Sequence, residues 1–254
     1  MIRTRPNALD NSVRIWDQNF NESTNKYEIA YCFDGSHSGS QRKIIISKLD
    51  EFARDSCVAL INTPDNDCRL GGRYKYNLKM TKSGGCASYV GRINEKDQKI
   101  WLDNGCHKGN TPLHEVMHAM GWWHEMQRAD FADHVKIWKE RCNWGGSSFE
   151  VNFGPMKKKI WGTDGNTPYD LSSIMHYSTT SCAKNKKEPV ITKPDGSPLV
   201  LTVGDSLSAN DIAGINAVYQ CGDNPPTTTN KPTTEATTKP PNPDVKCCQS
   251  YKLT

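Results

Sequence analysis

HEVMHAMGWWH, residues 114–124, is the stretch of this 254-residue chain that decides its fold and its chemistry. Positions four apart lie on one face of an α-helix, so His114 and His118 can face the same ion. Glu115 lies on the flank of that helix that would face a water bound to the ion. Zinc suits this set because it binds imidazole nitrogen at about 2.0–2.1 Å and keeps a position open for water in catalytic sites.

Gly121 and His124 extend this pattern and make it specific. Glycine adopts positive φ without steric cost, so Gly121 predicts a sharp turn that brings His124 back as a third ligand. Residue frequencies give on the order of 10⁻⁵ chance matches to the whole pattern in a chain of this length. Three unrelated histidines are therefore the weaker interpretation. We predict one Zn²⁺ held by His114, His118 and His124.

A methionine-bearing turn is the second part of the same signature, which is that of the metzincins. Ser173-Ile174-Met175-His176-Tyr177 supplies it downstream of the histidines. A buried methionine alone is more often a core filler. Beside the zinc pattern, Met175 is interpreted as the residue of the turn that lies beneath the metal.

Ten cysteines and a net charge of +4 restrict the class of protein. The cysteine content, without any C-x-x-C pair, indicates disulfides and a secreted, extracellular protein. The lysine groups at 157–159 and 184–187 are not interleaved with aromatic residues, which argues against nucleic-acid binding. The longest aliphatic run, residues 44–46, is far shorter than the roughly 20 residues of a membrane span. We expect a monomer that does not contact membranes.

The composition changes sharply after Cys221. Residues 222–246 are rich in Pro and Thr, which predicts a linker or stalk, and residues 247–254 form a short cysteine-containing tail. Residues 1–6 are interpreted as the remainder of a pro-segment or as residues added for expression. The first ten residues do not resemble a signal peptide, so we expect a truncated or processed chain. The catalytic domain is expected to cover residues 7–221.

Hydrophobic periodicity predicts an α+β architecture. Alternating residues predict strands at 28–33 and 75–79. Helical spacing predicts helices at 41–53 and about 209–219. A further helix is predicted at 111–120, with Thr111 as its N-cap, Pro112 in its first turn and Gly121 as its end.

Several segments together resemble the astacin family. They are HEVMHAMGWWHEMQR at 114–128 followed by Ala129-Asp130, the turn at 173–177, SGGCASYVGR at 83–92, Asn104-Gly105-Cys106, and the end of the domain at 217–221. The resemblance covers roughly residues 7–221. It implies an N-terminal lobe of sheet and helix and an irregular C-terminal lobe, with zinc on the floor of the cleft between them.

The resemblance also implies roles for two further residues. Tyr177 would be an additional zinc ligand whose phenol swings away and donates to the tetrahedral intermediate; the alternative is a tyrosine hydrogen-bonded in the core. Glu125 would pair with the buried N-terminus that zymogen cleavage releases near Asn7; the alternative is a surface or helix-end charge. Pro6 stands where a basic residue normally precedes that cut, although Arg3 and Arg5 lie nearby.

Cysteine pairing is the third implication. The family pattern implies Cys57–Cys221 and Cys86–Cys106. The other four cysteines of the domain allow three connectivities, and we expect Cys32–Cys68 and Cys142–Cys182 among them. Asn21-Glu22-Ser23 is the only N-x-S/T sequon without an intervening proline, so Asn21 is a candidate glycosylation site.

These observations predict a secreted zinc endopeptidase. Glu115 would take the proton from the zinc-bound water that attacks the scissile carbonyl. The protein or peptide substrate would lie extended, paired with an edge strand near residues 86–89. Residues 203–208 lack the arginine that several acid-preferring relatives carry, so no preference for acidic residues is expected. The alternatives are a non-catalytic binding protein, a structural zinc site, and a chain whose main function lies in its Thr/Pro tail.

Overall fold

A six-stranded sheet occupies the N-terminal part of the computed structural model, which describes residues 15–154 and 167–221. The expectations for residues 1–6, for an N-terminus at Asn7 and for segments 222–246 and 247–254 lie outside the described residues. The strands are β1 (Phe20–Asn21), β2 (Lys26–Phe33), β3 (Val58–Asn62), β4 (Leu78–Thr81), β5 (Cys86–Ser88) and β6 (Gln98–Leu102).

The centre of the sheet is parallel. Strand β2 runs parallel to β3 and β4, and β4 runs parallel to β6. Strands β1 and β5 are antiparallel to their neighbours β2 and β6. Residues 29–33 of β2 are all buried, as a parallel strand covered on both faces requires. Strand β5 is the last in the sheet order and leads towards the candidate site.

Helix α1 (Gly39–Asp55) covers the sheet and is longer than the predicted 41–53. Its start is fixed by a reciprocal capping box, in which the Ser38 side chain accepts from the Gln41 backbone and the Gln41 side chain accepts from the Ser38 backbone. Ile45, Leu49 and Phe52 form the buried face. Their spacing of four and three residues is that of an amphipathic helix.

The predicted strand at 75–79 begins three residues later, at Leu78. The ladder with β2 begins where Leu78 pairs with Tyr31, so pairing rather than local alternation sets the boundary. The predicted strand at 28–33 lies within β2.

The chain that follows helix α2 (Thr111–Met120) is mostly irregular. It contains α3 (Gly146–Phe153), the strand pair β7 (Lys136–Ile137) and β8 (Ile191–Thr192), and α4 (Ala209–Val218). One hydrophobic cluster joins the sheet, α1, α2 and α4, and a second lies within residues 126–191. The predicted α+β architecture with two lobes is confirmed. Among the described residues, no helix has both the length and the apolar character needed to cross a bilayer.

Four disulfides join these elements, and they are the expected pairs. Cys57–Cys221 ties the start of β3 to the end of the domain, and Cys86–Cys106 ties β5 to the loop before α2. Cys32–Cys68 and Cys142–Cys182 lie one in each half of the described chain.

Candidate metal centre

Helix α2 positions the first two histidines, and a glycine turn positions the third. The N-cap is Asn110 rather than the predicted Thr111, a shift of one residue, and Pro112 lies in the first turn. Gly121 ends the helix with φ at 114°, and its N–H points at the carbonyls of Met117 and His118. This is the left-handed turn predicted from the glycine, and it returns the chain towards α2.

The three histidines converge. One ring nitrogen from each of His114, His118 and His124 lies within 4.8 Å of the others. The Nε2 atoms of His114 and His118 are 3.1 Å apart. Two ligands at about 2.0–2.1 Å from a tetrahedral zinc ion lie roughly 3.3–3.4 Å apart, so this donor set fits zinc.

The outer nitrogens of the first two histidines are held by backbone carbonyls. His114 Nδ1 lies 2.7 Å from the Ile174 carbonyl, and His118 Nδ1 lies 2.7 Å from the Trp122 carbonyl. A carbonyl only accepts, so each Nδ1 carries the proton and each Nε2 presents its lone pair. Burial, reinforced by the neighbouring His118 and His114, holds the pKa of His124 well below its ordinary value. A neutral imidazole is the form that binds a metal.

Glu115 lies beside this cluster, 1% exposed. It lines a cleft of about 310 Å³ together with His114 and Tyr177. The other lining residues are Cys86, Asn110, Thr111, Ile174, His176, Ser178, Leu201 and Val203. The structure thus places a carboxylate, candidate metal ligands and an open cleft in one position.

The methionine turn, residues 173–177, lies at the boundary between the two hydrophobic clusters. Met175 is fully buried in the first cluster, and Tyr177 belongs to the second. The Met175 amide donates to Ser173 Oγ at 3.0 Å, and its carbonyl accepts from the Glu125 amide at 2.9 Å. The turn is therefore tied to the residue after the third histidine, and through the Ile174 carbonyl to the first.

Tyr177 lies against the third histidine. Its ring centroid is 4.2 Å from that of His124, and its hydroxyl donates to Asn152 Oδ1 at 2.7 Å. Its side chain is buried yet borders the cleft. The structure brings the expected residue to the site with its phenol held by α3.

Glu125 is held in a buried ionic network. Its Oε1 accepts from the Asp170 amide at 2.9 Å and from Arg128 Nη1 at 3.2 Å. Burial raises the pKa of Glu125 to about 7, against the opposing effect of Arg128. Arg128 also forms two hydrogen bonds with Asp130. Glu125 does begin the 3-10 turn Glu125–Gln127, but its side chain is only 12% exposed, so a surface charge does not describe it.

Asp211 is a residue that the sequence analysis missed. Its Oδ1 accepts from Ser173 Oγ at 2.7 Å, and its Oδ2 accepts from the Ile174 amide at 3.1 Å. The same carboxylate caps α4, where Ser208 and Asp211 form a capping box. The S-x-x-D spacing could have identified the cap but not its contact with the methionine turn. Gln127 and Asn152 were missed as well.

Asn21, the candidate glycosylation site, lies in β1, at the opposite end of the sheet order from β5. Its Nδ2 donates to Glu28 Oε1 at 2.6 Å. A glycan on that nitrogen would require this contact to open, and glycosylation stays a prediction.

Comparison with known proteins agrees with this geometry. The family model described as Astacin, a peptidase family, matches residues 16–220. The chain is 32% identical over 217 residues to zinc metalloproteinase nas-6 of Caenorhabditis elegans, covering 85% of this chain and 56% of that one. It is 32% identical over 196 residues to bone morphogenetic protein 1 of Xenopus laevis, covering 76% of this chain and 26% of that one. It therefore spans about half of the first relative's length and about a quarter of the second's.

A solved structure has the same fold. High choriolytic enzyme 1, a hatching enzyme zinc-protease from Oryzias latipes, superposes with a TM-score of 0.71 over 85% of this chain and all of its own, at 24% identity. With the family match over residues 16–220 and the convergence of three histidines beside Glu115, the chain belongs to the astacin family of zinc metalloendopeptidases.

Proposed function

We propose that this chain is a secreted endopeptidase that hydrolyses peptide bonds in proteins with one Zn²⁺. His114, His118 and His124 would hold the ion, and Tyr177 would be a further ligand. The observation that carries the proposal is the convergence of three imidazole nitrogens within 4.8 Å beside a buried carboxylate in an open cleft. Structural zinc sites are usually closed by cysteine, and the cysteines of this domain are in disulfides.

The catalytic chemistry divides among zinc, Glu115 and Tyr177. When bound, zinc supplies a Lewis acid that lowers the pKa of a water ligand towards about 7 and polarises a carbonyl. Glu115 accepts the proton of the attacking water and returns it to the leaving amine. The Tyr177 hydroxyl leaves its acceptor Asn152 and donates to the oxyanion of the tetrahedral intermediate. Met175 and Gly121 hold the histidines in place.

The substrate would bind as an extended strand. Strand β5 ends the sheet order, and its first residue, Cys86, lines the cleft. An extended peptide can add its backbone to such an edge. This arrangement brings a scissile carbonyl to the histidines and Glu115.

The cleft wall favours an apolar substrate side chain next to the scissile bond. Leu201 and Val203 line the cleft while Thr202 between them is exposed, as alternation along an extended segment requires. Ile174 completes the apolar wall, and none of the described residues that line the cleft is Lys or Arg. A substrate carboxylate would find neither Lys nor Arg among these described residues, so acidic side chains are disfavoured.

The proposal also covers the location of the domain, its activation and its oligomeric state. Four disulfides support an extracellular location. The burial of the Glu125 carboxylate next to the third histidine supports a zymogen in which the released N-terminus pairs with this carboxylate. We propose that the domain acts as a monomer on protein or peptide substrates, without nucleic acid or membrane.

Digestion of denatured casein and gelatin tests the function. The purified chain should cleave both, lose cleavage after treatment with a zinc chelator, and regain it when Zn²⁺ is added back. His118→Phe, which removes a ligand inside α2, is the matched inactive control. Zinc binding without any cleavage would instead favour a binding protein. Cleavage that survives complete zinc removal would contradict the proposal.

A further inference from the structure

The side chain of Gln127 lies directly behind the third histidine. It is 1% exposed and belongs to the 3-10 turn Glu125–Gln127, which follows His124. Its Oε1 lies 3.0 Å from His124 Nδ1 and accepts from the His124 backbone amide at 3.3 Å. Its Nε2 donates to the carbonyls of Val151 and Gly154 at 2.9 and 3.2 Å.

These four partners fix the orientation of the amide. The carbonyls of Val151 and Gly154 only accept, so the nitrogen of Gln127 must face them. The backbone N–H of His124 only donates, so the oxygen must face the histidine. A flipped amide would set donor against donor and acceptor against acceptor. The assignment therefore follows from the backbone alone.

The amide orientation sets the tautomer of His124. An acceptor opposite Nδ1 requires the proton on Nδ1, which leaves the lone pair on Nε2 for a metal. For His114 and His118, backbone carbonyls accept from Nδ1 and fix the same tautomer, and no side-chain substitution removes a backbone carbonyl. His124 has two acceptors, the Gln127 side chain at Nδ1 and the backbone carbonyl of Asn152, and the two donor bonds of Gln127 hold the segment that carries this carbonyl.

Gln127 also connects the third histidine to the residue that holds Tyr177. Its two donor bonds bracket Asn152, whose Oδ1 accepts from the Tyr177 hydroxyl at 2.7 Å. The end of α3 is thereby held at a fixed position behind the site. One amide aligns the ring of His124 and the segment that holds the phenol.

We propose that Gln127 is a positioning residue of the metal centre, which holds His124 in its Nδ1-protonated tautomer and fixes the end of α3 behind it. The inference rests on the proposed zinc function. Outer-shell partners of metal-binding histidines typically contribute about 10–100-fold to metal affinity. Loss of the Gln127 amide should therefore weaken zinc binding by about that factor.

The first test is competition of zinc against a chromophoric chelator. Gln127→Met keeps the length of the side chain and removes both hydrogen-bonding groups, and its zinc Kd should rise about 10–100-fold. Asn77→Leu is the control, because Asn77 is a fully buried amide in the turn before β4 and contacts Leu78 and Asp97 instead of the site. Its Kd should stay within about twofold of wild type. An equally unchanged Kd in Gln127→Met would overturn the proposal.

The second test separates the two halves of the amide and does not depend on activity. Gln127→Glu keeps the acceptor for His124 but loses both donors, so it should bind zinc more tightly than Gln127→Met. Equal loss in both variants would show that the amide acts only through residues 151–154 and would overturn the tautomer assignment. If neither variant folds, the imidazole spectrum of the wild-type protein still tests the tautomer.

The tautomer itself can be read from ¹⁵N-labelled imidazoles by NMR in the zinc-free protein. We expect the His124 proton on Nδ1 in wild type and a mixture of tautomers in Gln127→Met, which loses both the Gln127 acceptor and the two bonds that hold the segment carrying the Asn152 carbonyl. A wild-type proton on Nε2 would refute the inference. Because this spectrum needs no metal, it tests the Gln127 contact even if the wild-type chain binds no zinc, in which case the proposed function fails separately.

Discussion

Asp211 offers a stringent test of how the fold supports the metal centre. Its carboxylate accepts from the backbone amide of Ile174, and the carbonyl of Ile174 accepts from His114 Nδ1 at 2.7 Å. It also accepts from Ser173 Oγ and from the Ser208 amide, at 2.7 and 3.0 Å. One buried side chain thus joins the start of α4 to the methionine turn and, through one peptide unit, to a candidate zinc ligand.

The expected loss of stability follows from the hydrogen-bond donors that the substitution of Asp211 leaves without an acceptor. Asp211→Ala leaves the buried backbone N–H of Ile174 and the part-buried N–H of Ser208 without their acceptor, at about 1–3 kcal/mol each and with Ser208 at the lower end. The Ser173 hydroxyl also loses its acceptor, but it can rotate, so we assign it no comparable cost. Burial raises the pKa of Asp211 above its ordinary value, so the ionised carboxylate itself costs the fold free energy that Ala avoids. The net loss of stability at pH 7 should be about 2–4 kcal/mol.

Asp211→Asn should behave differently, because one amide oxygen can accept both backbone N–H groups and the amide nitrogen can donate to Ser173 Oγ. We expect a loss within about 1 kcal/mol. The stability of wild type relative to this variant should fall as pH rises through the folded pKa of Asp211, because a raised carboxyl pKa favours the folded state most at pH values below the unfolded value.

Urea unfolding of the zinc-free, disulfide-intact protein and zinc competition measure both effects. The zinc Kd of Asp211→Ala should rise about tenfold, since the carboxylate acts on His114 through one peptide. Asp211→Asn is the matched control, because it keeps an acceptor for both backbone amides. The reasoning is refuted if Asp211→Ala loses less than about 1 kcal/mol, the lower end for one unsatisfied donor, or if the Asn variant is as unstable as the Ala variant.

Three further predictions concern the turn, the cleft and the disulfides. Gly121→Ala places a Cβ at φ 114° and should cost about 1–3 kcal/mol in urea unfolding; a neutral substitution would contradict the assigned turn. Val203→Arg should shift cleavage towards acidic side chains by roughly tenfold in a peptide-library profile, whereas Thr202→Arg at the adjacent exposed position should not; equal profiles would remove Val203 from the substrate site. Cys57→Ser with Cys221→Ser opens a 164-residue separation and should cost roughly 4–5 kcal/mol by denaturant unfolding; a loss below about 1 kcal/mol would show that this link does not constrain the unfolded chain.

The bounds of the metal-binding helix could be predicted because its signals are local, although its N-cap is Asn110 and not Thr111. Pro112 marks the first turn, Gly121 marks the end, and the spacing of the histidines places them without knowledge of the rest of the fold. The capping box at Ser38 was equally readable, although the predicted helix began at residue 41 and missed it.

The hydrogen bonds that hold the metal ligands in place could not be predicted from the sequence, because they join residues that are far apart in the chain. Gln127 finds its acceptors 24 and 27 residues away, and Asp211 meets the methionine turn across 37 residues. The shifted strand at Leu78 has the same origin, since its pairing with Tyr31 sets the register. Local pattern specifies which residues can bind zinc, while tertiary contacts specify how rigidly they are held.

The measurement that tests the central claim most directly is the turnover of a quenched protein substrate by wild type and by Glu115→Gln, with the zinc content of both preparations determined. The account predicts one zinc per chain in both proteins and a loss of at least about 10²–10⁴-fold in kcat/KM for the variant, the size of a general-base contribution. Undiminished turnover by zinc-loaded Glu115→Gln would contradict the assignment of Glu115 and the mechanism built on it.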